Sequence, residues 1–337
     1  MKINLLGTAI MATLLLATCK QAREAAEETA KPLPGIRLIF DTDANNELDD
    51  QHAMAYLFFN GPLFQVEAVT VNATSSGGNI EEHYREAARI MELCLVDGQI
   101  PLLKGADKSF EEIRGQLGTP GYDGEEAIEA IIAAARKPGE EPLIVLAVGK
   151  LTNVALALEK APDIANKMRV VWLGSNYPAP GEYNQDNDIP SMNYVLGTEV
   201  PFEMVTVRYG DPSGSSAVAV SKATIMEKMP GLGPTIARPI TGRHGGYFNT
   251  FGDYSVDLFQ HIDYYDDPPT RALFDMVAVA ILKHPEWGST QEVPAPVYQD
   301  GQWVAQPDNP RKIIVWEHFN KEAMLEDFFD LMARPVL

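Results

Sequence analysis

The chain has 337 residues, 45% of them hydrophobic, which is ample for a sizeable core in one large domain or two smaller ones. Its 27 basic residues stand against 47 acidic ones, a formal net charge of -20; so acidic a surface repels nucleic acid and anionic lipid and suits neutral or cationic ligands, divalent metals included. Two cysteines, Cys19 and Cys94, are too few for a disulfide framework, and no internal run is long enough to be a membrane span.

Lys2 opens the chain with positive charge, the apolar stretch INLLGTAIMATLLLAT follows, and LATC ends at Cys19. This resembles a bacterial lipoprotein signal, in which the cysteine is lipidated after cleavage, although Thr18 is less usual before it than Gly, Ala or Ser. The alternative is an ordinary secretory signal. The first reading anchors an exported protein on the periplasmic face through Cys19, its only membrane attachment; the second makes it soluble, periplasmic or secreted. Residues 1–19 are therefore set apart from the fold, residues 20–35 read as a polar tether, and residues 36–337 read as a single domain.

After the tether, short apolar runs alternate with helical patterns. IRLIF is a strand, DDQHAMAYLFFN a helix, FQVEAVTV a strand, and NIEEHYREAARIMELCLV a helix with Asn79 as its cap. IPLLKG, LIVLAVG and MRVVWLGS read as further strands, with helices over GEEAIEAIIAAARK and LTNVALALEKAP between them. Cys94 falls on an apolar helical face and reads as a core thiol. The alternation predicts an α/β fold with a mostly parallel central sheet flanked by helices. Past this point the pattern weakens. Residues 239–270 look irregular, TRALFDMVAVAILKHPEW is a helix, and the last stretch reads as strands, turns and a terminal helix.

The stretch FDTDANNELDDQ packs Asp41, Asp43, Glu47, Asp49 and Asp50 into ten positions at the end of the first strand. Ligands in open α/β sheets bind beyond the carboxyl ends of the strands, and helix-opening N–H groups tolerate the charge of Asp49 and Asp50. The residues themselves leave two readings, a solvated acidic turn or a cation site. For a cation, carboxylate oxygens favour calcium, then magnesium; zinc is disfavoured because no histidine or cysteine cluster lies nearby.

The motif FDTDANNELDDQHAMAY resembles the amino-terminal DTDPGIDDAxAL signature of the nucleoside hydrolases of inosine–uridine-preferring type. Further segments resemble that family in the same order: VTVNATSSGGN, PLLKGAD, VGKLTNVALAL, VVWLGSNYPAPGEYN and LFDMVAVA, together spanning roughly residues 36–290. The resemblance implies a Rossmann-like nucleoside hydrolase fold, one bound calcium ion (Ca2+), and hydrolysis of the N-glycosidic bond of a small-molecule nucleoside or riboside to base and ribose. It implies that Asp43 ligates calcium and acts as base on the attacking water. Asp50, Asp275 and the backbone carbonyl of Thr152 would complete the protein ligands. Asp49 and Asn184 match positions that bind the ribose hydroxyls, as Asp275 does on the substrate side, and Asn176 and Glu182 match positions on the 5'-hydroxyl side. Asn79 matches a residue near the same pocket, and Asp41 would be an acceptor behind the ligands. The resemblance also implies a homodimer or homotetramer, with no residue that marks an interface.

Two departures stand out. ANNELD carries two residues more than the family's PGID, placing Asn45, Asn46 and Glu47 at the mouth of the site. Glu47 reads as an extra ligand or a solvated carboxylate, and the asparagines as substrate readers or positive-φ turn residues. Second, Phe274 precedes Asp275 where the family has a histidine that protonates the leaving base, and phenylalanine cannot donate a proton. His244 is the candidate acid, with a surface histidine as the alternative. Tyr247, Phe248, Tyr254 and Tyr265 are candidates to stack on a base or to pack. His52, His83 and Arg271 read as a neighbour-facing histidine, an exposed helix residue and a surface charge. The leading function is calcium-dependent ribonucleoside hydrolysis. The alternatives are a hydrolase of the same fold acting on another pentoside or sugar conjugate, and a non-catalytic calcium-dependent sugar-binding lipoprotein.

Overall fold

A computed structural model describes residues 35–138 and 141–337. The signal expected over residues 1–19 and the tether after it, to residue 34, lie outside the described residues. Residues Ile36–Leu337 make one compact unit built on an eight-stranded sheet. In chain order its strands are β1 (Ile36–Thr42), β2 (Phe64–Val71), β3 (Leu102–Lys104), β4 (Leu143–Ala147), β5 (Met168–Leu173), β6 (Phe202–Val205), β7 (Ser289–Pro294) and β8 (Lys312–Glu317). Their spatial order is β7-β8-β6-β5-β4-β1-β2-β3. Every neighbouring pair is parallel except β7 with β8.

The helices that matter for the site are α1 (Asp49–Phe58), α2 (Ile80–Leu93), α3 (Thr152–Lys160), α4 (Tyr183–Asn187), α5 (Phe251–Gln260) and α6 (Phe274–Lys283). β1 shows why the sheet is covered on both faces. Its side chains alternate, so Leu38 and Phe40 enter one apolar layer with α1 and α6, while Ile39 enters the other with α3. The chain winds outward from β1 to β3, then crosses back to β4 on the other side of β1. The strand order thus reverses between β1 and β4, which opens a crevice at their carboxyl ends.

The sequence pattern missed elements here. β6 is four residues long and carries Glu203 in mid-strand, which bonds to Arg169 and Trp316, so its apolar period is broken. α5 lies inside the stretch expected to be irregular, and Thr250 caps it by accepting from Asp253 N–H at 3.2 Å. The expected helix from Thr270 splits: Thr270–Ala272 pairs antiparallel with Ala219–Ser221, and the helix starts only at Phe274. Cys94 is fully buried as a free thiol.

Candidate active site

The carboxyl ends of β1, β4, β5 and β6 converge on one cavity, lined at or just past the ends of these strands by Asp43, Val148, Leu173 and Val207. Two helix N-termini close it. α1 brings Asp49 and Asp50 in its first turn, and α6 brings Asp275 in its own. One oxygen from each of these three carboxylates lies within 4.8 Å of the other two, and all three residues are buried. Asp43 is held beside them. Its Oδ2 accepts from Thr74 Oγ1 at 2.6 Å, and its carbonyl accepts from Asn46 N–H at 2.9 Å. A Cβ on Gly149 would come within 3.0 Å of Asp43 Oδ1 and nearer still to Asn72, so only glycine lets β4 end this close.

Behind this group Asp41 accepts from Thr70 at 2.6 Å, Asn153 at 2.7 Å and Asn72 at 3.1 Å, the acceptor role the sequence suggested. Burial pushes Asp41 up to about 6, with those donors pulling the other way. Burial, with the neighbouring carboxylates adding to it, pushes Asp43 and Asp49 up to about 7 and raises Asp50 and Asp275 well above the usual range. Like charges about 5 Å apart repel by on the order of 3 kcal/mol per pair at an effective dielectric of about 20. Such a cluster stays ionised near neutral pH only with a cation among its oxygens. The lining offers oxygen donors and no histidine or cysteine, so it fits a hard divalent cation rather than a transition metal.

Around the cation-sized gap stand sugar-sized polar groups. Glu182 is buried, and its Oε2 accepts from Ser175 N–H at 2.8 Å and Gln185 N–H at 2.9 Å, an aim set by the left-handed backbone of Ser175 at φ 72°. Asn184, in α4, lines the cavity and donates to the carbonyls of Val148 at 2.8 Å and Leu173 at 3.1 Å. The inosine-uridine preferring nucleoside hydrolase profile matches residues 38–326 of the chain, nearly the whole of the described domain.

The chain belongs to that family. Two curated relatives are the non-specific ribonucleoside hydrolases RihC of Salmonella agona (strain SL483), 24% identical over 291 residues, and of Klebsiella pneumoniae subsp. pneumoniae, 25% identical over 290 residues. Each alignment covers 80% of this chain and 86% of the relative. Among solved structures, a plant nucleoside hydrolase (PpNRh1) superposes with a TM-score of 0.68 at 16% identity, covering 90% of this chain and 100% of that one. An inosine-guanosine nucleoside hydrolase also gives 0.68, at 19% identity, covering 89% and 99%. The fold is the nucleoside hydrolase fold.

Within this nucleoside hydrolase, several expected site residues sit elsewhere. Thr152 does not line the cavity; it opens α3, and its hydroxyl donates to Asp188 at 2.5 Å. Val148, four residues earlier and just after β4, does line the cavity. Asn176 is also off the lining, because both ends of its amide serve the backbone: Nδ2 donates to Gly181, and Oδ1 accepts from Tyr209 N–H at 3.1 Å. Asn79 caps α2 in a capping box with Glu82, so its side chain is spent on Glu81 N–H at 3.0 Å. His244 lies outside the lining, stacked on His261 at 4.3 Å and 3.4 Å from Asp257.

The inserted loop is pinned rather than solvated. Asn45 donates its side-chain amide to Gly77 O at 2.6 Å and its backbone N–H to His83 Nδ1 at 3.2 Å, and Asn46 accepts from Ser76. Neither asparagine takes a positive φ. Glu47 lines the cavity and pairs with Arg271, which is buried and not a surface charge. His83 is fully buried rather than exposed. His52 is buried against Ser255 at 2.7 Å. None of Tyr247, Phe248, Tyr254 and Tyr265 lines the cavity; Tyr254 is buried and donates to Glu86 at 2.7 Å. The aromatic residues that do line it beside Phe274 are Tyr183, in α4, and Tyr209, which lies in an irregular stretch with no periodic signal. The order of Tyr209 in the chain, after β6 in a parallel sheet, was the one available pointer to it.

Proposed function

We propose that the protein hydrolyses the N-glycosidic bond of ribonucleosides, releasing base and ribose, with one calcium ion held by Asp43, Asp50 and Asp275. The observation that carries this is the convergence of Asp43, Asp49, Asp50 and Asp275 with Glu182 and Asn184 in one cavity. It is supported by the family match and by the curated relatives, which are named as ribonucleoside hydrolases. When bound, calcium supplies a fixed positive charge that orients a sugar diol and a water and makes that water easier to deprotonate.

The chain's own residues do the rest. Asp43 takes the proton from the attacking water, its carboxylate held in place by Thr74. Asp49 and Asn184 orient the ribose hydroxyls, and Glu182 holds the 5'-hydroxyl side. As the C1'–N bond stretches, positive charge grows on the sugar ring, and the surrounding carboxylates stabilise it. Leu173, Val207 and Phe274 keep the lining partly apolar, which strengthens these interactions. The export expected from the N-terminal sequence, a lipid on Cys19, and a homodimer or homotetramer belong to the same proposal.

The test is release of free base and ribose from a panel of purine and pyrimidine nucleosides, with calcium and with chelator, beside Asp43→Ala. Calcium-dependent release that falls by about 10²-fold or more in the variant is the expected result. No release from any riboside, despite calcium binding, would move the chain to the sugar-binding alternative.

A further inference from the structure

The sugar-side cavity is continued on one side by a larger one. A second cavity of about 750 Å³ shares Tyr209 and Phe274 with the first. These two rings meet edge to face, with centroids 5.9 Å apart at 89°, and form an aromatic corner between the cavities. Beyond them the second cavity is lined on its apolar side by Pro212, Ala217, Ala219, Ala272 and Tyr265. A sugar seated on the carboxylates directs its leaving group across this corner. The inference therefore rests on the N-ribohydrolase reading above.

The corner lacks what a neutral riboside needs. A purine or pyrimidine departs as an anion unless a proton reaches it, and no histidine, lysine or arginine among the described residues lines the first cavity. Of its two phenols, Tyr183 is engaged with Ser76, accepting from its N–H at 2.9 Å and sharing a hydrogen bond with its Oγ at 2.7 Å; burial, with the charges of Glu182 and Asp49 adding to it, pushes the Tyr209 phenol well above its ordinary value, too weak an acid to replace an imidazolium. The electrostatics point the same way. Six carboxylates line this cavity: Asp43, Glu47, Asp49, Asp50, Glu182 and Asp275. Arg271 offsets one of them and a divalent cation offsets two, so about three negative charges remain to repel a departing anion. In the second cavity Asp211 and Asp266 outweigh Lys321.

We propose that the preferred substrates are ribosides of a quaternised aromatic nitrogen, of the ribosylpyridinium class, whose ring lies in the Tyr209–Phe274 corner. Such a substrate carries its positive charge where the cavity is negative and where aromatic faces attract cations. Its C1'–N bond breaks with the electron pair going to the ring nitrogen, so the leaving group departs as a neutral pyridine. Water adds its oxygen to C1', and its proton passes to Asp43 and then to solvent. The products are ribose, pyridine and one proton, and no acid is required on the leaving-group side.

The experiment compares kcat/KM of the purified protein, with calcium, for N-ribosyl-3-carbamoylpyridinium against inosine and uridine. The expected result is a preference of about 100-fold or more for the cation, the size of a missing general acid. Phe274→His is expected to narrow that preference at least about tenfold, by raising the rate on inosine as the new imidazole becomes protonated below about pH 6.5. Tyr209→Phe, which keeps the ring and removes the hydroxyl, is expected to keep the preference. Inosine or uridine hydrolysed as fast as the pyridinium by the unaltered protein would overturn this inference and leave the N-ribohydrolase reading standing. Failure to cleave any of the three ribosides would overturn both.

Discussion

The carboxylate of Glu47 is paired with the guanidinium of Arg271, joining the acidic loop after β1 to the short strand that leads into α6. The contact ties together the two segments that deliver Asp49, Asp50 and Asp275. Arg271 is buried, lies 4.8 Å from the Tyr265 ring centroid, and has an Nε without a partner. Glu47→Ala therefore leaves a desolvated cation. The expected loss is on the order of 2 kcal/mol in urea unfolding, below the cost for a fully buried pair because the Glu47 side chain is 35% exposed. Arg271→Met, which removes the buried charge itself, is expected to cost less. An equal or larger loss for Arg271→Met would show that the arginine's packing matters more than its charge.

The carboxylate cluster sets a pH dependence whose sign follows from burial. Asp43 and Asp49 rise to about 7 from an ordinary 3.8, so without a cation the folded chain holds more protons than the unfolded chain between those values. Their contribution to stability is full below pH 4 and is lost as pH rises through about 7. In chelator, Tm is expected to fall between pH 5 and pH 8. Calcium takes the place of those protons, so it should raise Tm more at pH 8 than at pH 5. Equal calcium stabilisation at both values would mean that the ion sits elsewhere.

Asn79 separates a cap from a substrate ligand. As the cap of α2 it satisfies Glu81 N–H, and Asn79→Ala is expected to cost about 1 kcal/mol with kcat/KM changed less than about twofold. A large loss of kcat/KM at unchanged stability would restore it to the site.

His244 makes the same kind of separation. It sits with Asp257 and His261, and burial with the nearby Arg243 charge lowers its pKa. His244→Ala is expected to leave the rate on inosine within about twofold and the acid limb of its pH profile in place. Loss of that limb would mean that the loop carrying His244 swings over the leaving group during turnover.

Much of this protein was legible along the chain. Two periodicities marked the strands through β5 and the helices between them; the residue types after β1 left a solvated acidic turn or a cation site, and the family resemblance favoured the second. Asp41, Asp43, Asp49, Asp50 and Asp275 all fall in or directly behind one cavity, as their motif positions implied. Local pattern suffices there because strand and helix periods are local and because a parallel sheet delivers its loops to one edge.

Other assignments waited on the tertiary structure. That Val148 and not Thr152 lines the cavity depends on where β4 ends against Asp43, a close approach that only the missing Cβ of Gly149 permits. Asn176, Asn79 and Thr152 have side chains suited to a ligand, yet backbone groups and Asp188 claim them, and those partners are set by folding. Arg271 and His83 read as surface residues because their burial is imposed by segments far away in sequence. Tyr209 lies in no periodic element, and the crossover order of the sheet alone brings it against Phe274. The sequence by itself determined the fold class, which follows from local period, and, through the motifs that resemble a known family, the chemical kind of the site. Only the tertiary structure decided which donors are free to meet a ligand, since buried polar groups bond to whatever the packing brings within reach.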